Sequence, residues 1–201
     1  MVDKMAKEKS NKSFFKENYR VSWEFLKQCK NYIYIGLGIF VLFLILGFFI
    51  PAPEEISNRI LEFIQNVVNE IEGMGPYQLI LFIFWNNLKS AFLIFLLGMG
   101  FGLFPLGATV VNGYLVGFVA RESVFQEGFL VLWRLLPHGI FELPAIFISI
   151  GLGLKLGVGI FKERNKFKQN FFKAVIAFVF IVIPLLVIAA IIEGLLIAFS
   201  S

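Results

Sequence analysis

The sequence contains a single cysteine, Cys29, and a single histidine, His138. One cysteine cannot form a disulfide within the chain. One histidine cannot complete the HExxH zinc motif, and a zinc site usually needs three or four protein ligands. The G-x-S-x-G motif of many serine hydrolases is also missing. We therefore predict no catalytic residues, no metal site and no cofactor, and we expect that the protein is not an enzyme.

Apolar residues are abundant, at 58% of the 201 residues with 26 phenylalanines, and the mean hydropathy is +0.81. A soluble domain is about 45–50% apolar. Lipid cannot satisfy backbone N–H and C=O groups, so every spanning segment must be a helix. We predict an all-α, polytopic transmembrane helix bundle in the cell membrane, with the lipid bilayer as its main partner. The five predicted spans lie near residues 32–50, 77–100, 106–120, 129–154 and 171–199.

Lysine and arginine are concentrated in two segments of the chain. Eight precede the first span, and six lie between Lys155 and Lys173. With five spans, both segments fall on one side of the membrane, which the positive-inside rule makes cytoplasmic. We predict a cytoplasmic N-terminus and a C-terminus outside. The formal charge of +4 favours anionic lipid headgroups as partners over nucleic acid.

Two amphipathic helices are predicted at the membrane surfaces. Residues 1–31 form a basic cytoplasmic segment whose aromatic residues recur at helical spacing, and residues 32–201 form the bundle. Residues 53–72 begin with proline and two glutamates and carry one apolar stripe, which predicts a helix on the outer face. That helix either packs on the bundle as a lid or docks a helix of a partner.

Charged and amide side chains occur inside the predicted spans, where burial of a charge is costly and favours an inward orientation. Lys89 and Glu142 are expected at matching depth near the middle of the bilayer, and a second pair is expected between Arg134 and Glu193. These pairs either fix the helix register or line a polar path. The predicted intramembrane polar site comprises Asn86, Asn87, Lys89, Asn112, Arg134, His138, Glu142 and Glu193.

The fourth span is predicted to be kinked. Arg134, His138 and Glu142 recur every four residues and share one helix face. Pro137 and Pro144 each remove a backbone donor, and Gly139 loosens the same stretch. We therefore expect a polar, kinked element inside the bundle. In the third span, Gly113 and Gly117 form a GxxxG motif, which allows close contact between helices.

Three of these stretches, NNLKSAFLIFLLGMGFG, NGYLVG and LPHGIFELPAIFISIGLGLKLG, resemble the stage II sporulation protein M (SpoIIM-like) family of integral membrane proteins. The resemblance runs from about residue 86 to residue 157. It implies a membrane protein that anchors a complex, which in sporulating bacteria includes peptidoglycan-degrading partners. It points to Asn86, Asn87, Asn112, Gly113, Pro137, His138, Gly139, Glu142 and Pro144 as family motif positions, without established chemistry for them.

Two functions remain open from the sequence. The first is a non-catalytic scaffold that assembles protein partners or a homo-oligomer, as the resemblance implies. The second is a small ion or proton channel or transporter that uses Lys89, His138 and Glu142, as the intramembrane charges suggest. An intramembrane enzyme is a third and weaker alternative.

Overall fold

The computed structural model describes the backbone of residues 2–100 and 103–200, and the side chains of residues 13–100, 103–132 and 139–199. All regular structure in these residues is helical, which confirms the all-α prediction. The main helices are α1 (Val2–Phe49), α2 (Glu54–Ile71), α3 (Pro76–Gly98), α4 (Leu103–Glu127), α5 (Leu132–Lys162), α6 (Phe167–Ala177) and α7 (Ile183–Ser200).

Five segments are long and apolar enough to cross a membrane, in agreement with the predicted number of spans. The first is longer than predicted, because α1 continues without a break from the basic N-terminal segment into the apolar run. No proline or glycine stands between Ser13 and Ile35 to end the helix. The five segments are Ser13–Phe49, Pro76–Gly98, Leu103–Glu127, Gly139–Lys162 and Arg164–Phe199.

The fourth span, α5, is the centre of the bundle. It contacts α1, α3, α4, α6 and α7. Its side chains Ile150, Leu152 and Leu156 are almost completely buried. The backbone stays α-helical through Pro137 and Pro144 and ends at Lys162, beyond the predicted limit of Leu154. The predicted kink stays a prediction.

An irregular turn occurs instead in the last span, where residues Phe178–Val182 form a π-helix between α6 and α7. The N–H of Ile183 donates to the carbonyl of Phe178, five residues earlier. Pro184 follows directly, and a proline lacks the N–H of a normal α-helical bond and clashes with the carbonyl four residues before it. The wider turn relieves this clash.

The helices approach one another most closely at glycines. On α4, a methyl group added to Gly113 would lie 2.6 Å from the carbonyl oxygen of Phe40, and one on Gly117 would overlap that of Leu44. The predicted GxxxG motif therefore does make a close helix contact, and it does so within the chain, against α1. A second contact joins α3 to α5, where a methyl group on Gly98 would lie 2.7 Å from the Cα of Gly153.

Helix α2 agrees closely with the predicted outer helix but does not act as a lid. None of its residues is buried, and it makes little contact with the other helices that the structure describes. Its apolar residues Ile56, Phe63 and Val68 are each about half exposed. Helix α2 connects the end of α1 to the start of α3, so it lies at the side of the bundle where α1 ends and α3 begins.

The turn between α5 and α6 is held by polar contacts. Lys155 Nζ donates to one carboxylate oxygen of Glu163, and Asn170 Nδ2 donates to the other, both at 3.2 Å. The hydrogen bond from Lys155, its positive charge and the hydrogen bond from Asn170 together lower the pKa of Glu163. The carboxylate thus stays ionised and ties the two spans together at this face.

We predict that Gly117→Ala destabilises the protein by about 1–3 kcal/mol, because the new methyl group meets a backbone oxygen that cannot move aside. Gly107→Ala is the matched control on the same helix, since its methyl group would meet no atom within 4 Å. Alanine should stabilise that position by about 0.5–1 kcal/mol. Unfolding in detergent measures both variants. Equal stability of the two would contradict the close α1–α4 contact.

Candidate functional site

A polar cavity of about 260 Å³ lies between α1, α3, α4 and α5. It opens between α3 and α4, where Asn86, Ser90 and Asn112 are exposed, and its inner wall includes the buried Asn87 and the half-buried Glu142. The polar residues of the lining come from α3, α4 and α5. The apolar part of the lining consists of Phe40, Ile94, Leu115, Val116, Leu143, Ile146 and Phe147.

Helical spacing brings these polar residues together. Asn86 and Ser90 are four positions apart on α3, and Thr109 and Asn112 are three apart on α4, so each pair lies on one face of its helix. The sequence predicted Asn86, Asn87, Asn112 and Glu142 as parts of one polar site, and the structure brings these four to one cavity. Thr109 was missed, although its spacing from Asn112 was the available signal. Its hydroxyl donates to the Pro105 carbonyl at 2.7 Å.

Asn87 has an unusual position in this cavity. Its side chain is 6% exposed, and its Nδ2 has no hydrogen-bond acceptor among the described residues. Its Oδ1 accepts only a long bond of 3.5 Å from Asn86 Nδ2. A buried donor without an acceptor costs about 1–3 kcal/mol. The cavity therefore presents a donor that a water or a polar ligand would satisfy.

Glu142 provides the carboxylate of the cavity. It projects from α5, and its Oε2 atom is buried. Arg134 and His138 lie two turns and one turn earlier on the same helix, and their side chains, like that of Pro137, are outside the described residues. The predicted shared face of these three residues is therefore tested only as far as the backbone, which is helical from Leu132. Gly139 lies within that helix, and Pro144 is exposed.

Lys89 does not join the polar cavity, and the predicted pairing with Glu142 is wrong. Lys89 is exposed on a face of α3 that lines a separate groove, and among the described side chains it forms no ion pair with a carboxylate. The reason is helical geometry, because Lys89 is two positions beyond Asn87 and so about 200° around the helix from it. Matching depth did not imply a matching face.

The surroundings of Lys89 are apolar. It lines a groove of about 360 Å³ on the outside of the bundle, between α3 and the last span. The groove residues include Trp85, Phe92 and Phe178. Lys89 is the one charged residue of this described lining.

Glu193 lies on α7 away from both sites. It is half-buried with a buried Oε2 atom, beside Gly194, whose added methyl group would lie 2.6 Å from the Ile80 side chain of α3. Its predicted partner is Arg134, whose side chain is outside the described residues, so this pair stays a prediction. The side chains that the structure describes contain no group of three or more His, Cys, Asp or Glu residues placed to hold a metal.

These features define a class of protein: a multi-pass α-helical membrane protein with a polar cavity inside its bundle and a charged groove outside it. The family model for Stage II sporulation protein M matches residues 36–196, and the chain belongs to that family. This confirms the resemblance drawn from the three sequence stretches and extends it over most of the bundle.

Two relatives come from Methanocaldococcus jannaschii. "Uncharacterized protein MJ0706" is 27% identical over 183 residues, which cover 84% of this chain and 82% of that protein. "Uncharacterized protein MJ0793" is 34% identical over 115 residues, which cover 54% of this chain and 65% of that protein. No solved structure matches the chain.

We predict that Lys89→Met and Glu142→Gln act independently on stability. The two side chains line different cavities, and substitutions without shared partners add within about 0.5 kcal/mol. Unfolding of the wild type, both single variants and the double variant in the same detergent measures the coupling. A coupling free energy above about 1 kcal/mol would contradict this separation and support the Lys89–Glu142 ion pair that the sequence suggested.

Proposed function

We propose that this protein is a non-catalytic scaffold, an assembly partner within a membrane complex. The observation that supports this proposal is the exposed Lys89 in an apolar groove on the outside of the bundle. Within the 23 residues of α3, Lys89 lies about 20 Å from the first residue and about 14 Å from the last, which is close to the middle.

A lysine at this depth is costly for an isolated protein. A charge near the bilayer centre costs at least about 2.5–3.5 kcal/mol, and the hydrocarbon core is about 30 Å thick. Snorkelling works best near helix ends, and Lys89 is far from both ends of α3. Since no described carboxylate of this chain pairs with it, a partner is the natural source of the opposite charge. The anchoring role implied by the family resemblance agrees with this proposal.

The scaffold proposal predicts a Lys89-dependent complex. Membranes from the protein's own cells are dissolved in mild detergent, and particle size is measured for wild type and Lys89→Met. We expect a complex larger than one chain for wild type. In Lys89→Met the amount of this complex should fall roughly tenfold, which is equivalent to about 1.4 kcal/mol of association free energy. Lys27→Met is the matched control, because Lys27 is exposed but belongs to the basic end of α1. A wild-type particle of single-chain size, or equal loss in both variants, would refute the scaffold.

A second candidate function is a small ion or proton channel or transporter, and the polar cavity favours it. The buried donor of Asn87 and the carboxylate of Glu142 line the same space, which also opens between α3 and α4. Ionisable groups inside membranes commonly mark ion or proton paths. A cation or a proton carrier held there would contact oxygen atoms of Glu142 and of the three asparagines.

The transport proposal predicts flux that depends on Glu142. The purified protein is reconstituted into liposomes. The liposomes are loaded with a dye that reports protons or one ion of a panel. Glu142→Gln should lower the flux at least tenfold, because it removes the charge but keeps the shape, whereas Lys89→Met should retain it, because Lys89 lies outside the cavity. Absence of flux from folded, inserted wild type would eliminate this candidate.

We also propose that the N-terminus is cytoplasmic and the C-terminus lies outside. The support is the distribution of basic residues, which are frequent before the first span and between Lys155 and Lys173. This orientation would place the α5–α6 turn in the cytoplasm and α2 on the outer face. An impermeant thiol reagent applied to intact cells distinguishes the two orientations through a cysteine introduced at the C-terminus.

A further inference from the structure

We propose that the groove around Lys89 binds one transmembrane helix of a different protein, and that this helix carries an aspartate or glutamate at mid-bilayer depth. The inference rests on the proposed scaffold function and names the chemistry of its partner. It follows from the shape of the groove, from the depth of Lys89 and from the positions of the carboxylates in this chain.

The groove has a packed floor and exposed walls. Phe95 and Phe178, which are 2% and 5% exposed, stack with ring centroids 5.3 Å apart and form the floor. Trp85, Phe92 and Val179 are each about half exposed and form the walls. The groove is thus an apolar depression on the outside of the bundle with a buried, packed floor. Such a surface can pack against the side of an apolar helix.

The π-helical turn contributes to this shape. Phe178 and Val179 belong to that turn, and Ile183, which lines the groove as well, closes it with its bond to Phe178. Such turns are rare and are frequently found at functional sites. Here the wide turn places Phe178 against both Phe92 and Phe95 of α3, with ring centroids 6.0 and 5.3 Å apart.

The charge of Lys89 selects the partner. A lipid phosphate lies at the membrane surface, and Lys89 is about 14 Å or more from either end of α3. A carboxylate on a neighbouring transmembrane helix lies at the same depth as the ammonium group and can form a charge-assisted hydrogen bond with it. In hydrocarbon such a bond has little competition from water.

A second copy of this chain does not supply that carboxylate. Of the described carboxylates within the spans, Glu17 and Glu24 belong to the basic end of α1, and Glu122 and Glu127 lie near the end of α4. The others are Glu142 and Glu193, and each has a buried Oε2 atom. Glu142 belongs to the internal cavity, and Glu193 lies on α7. Both are only partly exposed, whereas Lys89 is exposed, so a carboxylate of another protein suits the lysine better than one of a neighbouring copy.

The test uses a designed helix as the probe. Full-length protein labelled with a donor dye is placed in zwitterionic liposomes with a leucine–alanine transmembrane peptide that carries an acceptor dye and one central glutamate. We expect energy transfer at least tenfold stronger, at low peptide content, than for the same peptide with glutamine. Lys89→Met should abolish this preference for the glutamate peptide. A thermal unfolding transition of the variant shows that it is folded.

Charge reversal tests the pairing in the opposite sense. The Lys89→Glu variant should no longer bind the glutamate peptide preferentially, and it should bind a peptide with one central lysine. Equal binding of the glutamate and glutamine peptides to wild type, or a preference that survives in Lys89→Met, would overturn the proposal. Loss of peptide binding when anionic lipid is added would also overturn it, because a lipid would then be the occupant.

These outcomes are separate from the failure of the scaffold proposal. A Lys89-dependent complex in native membranes together with a negative peptide test leaves the scaffold standing and removes the acidic helix. A positive peptide test with wild type that is a single chain in its own membranes removes the scaffold and leaves a groove able to bind acidic helices.

Discussion

Backbone hydrogen bonding in a solvent that offers none is the constraint on which this structure depends. In hydrocarbon each N–H and C=O group must be paired within its own segment, so the spans are helices. Lipid surrounds the bundle with groups as apolar as its own side chains, so apolar burial contributes little to holding helices together there. Close packing must do so, and it explains why the helices meet at glycines. Gly113 and Gly117 bring α4 against α1, and Gly98 meets Gly153 between α3 and α5.

The same scarcity of water divides the polar residues into two places with different chemistry. Asn86, Asn87, Asn112 and Glu142 line a cavity within the bundle, where the Nδ2 of Asn87 has no acceptor among the described residues. Lys89 is the one charged residue in the described lining of an apolar groove on the outside. A polar group in the first place can be satisfied by a small ligand or water. A charge in the second place needs a second helix, which is why the two sites support different candidate functions.

The direction in which a residue faces around its helix axis, or an irregular helical turn, positions both sites more than the residue types do. The two-residue step from Asn87 to Lys89 turns the lysine about 200° from Asn87, toward the groove between α3 and the last span. Pro184 directly follows the π-helical turn, which includes Phe178 of the groove floor. Helix α5 continues through Pro137 and Pro144, and it contacts five of the other helices.

The sequence by itself determined the number of spans, the position of helix α2 and the family, because apolar run length and helix start and stop signals are local properties of the chain. It also marked Gly113 and Gly117 as a motif that allows close helix contact. It also identified Asn86, Asn87, Asn112 and Glu142 as members of one polar site. It could not determine which helix faces meet. Depth in the membrane follows from position along a span, but the partner of Lys89 depends on rotation of α3 about its axis, which only the packing of all the helices sets. For that reason the tertiary structure decided that Glu142 faces the cavity and Lys89 faces outward.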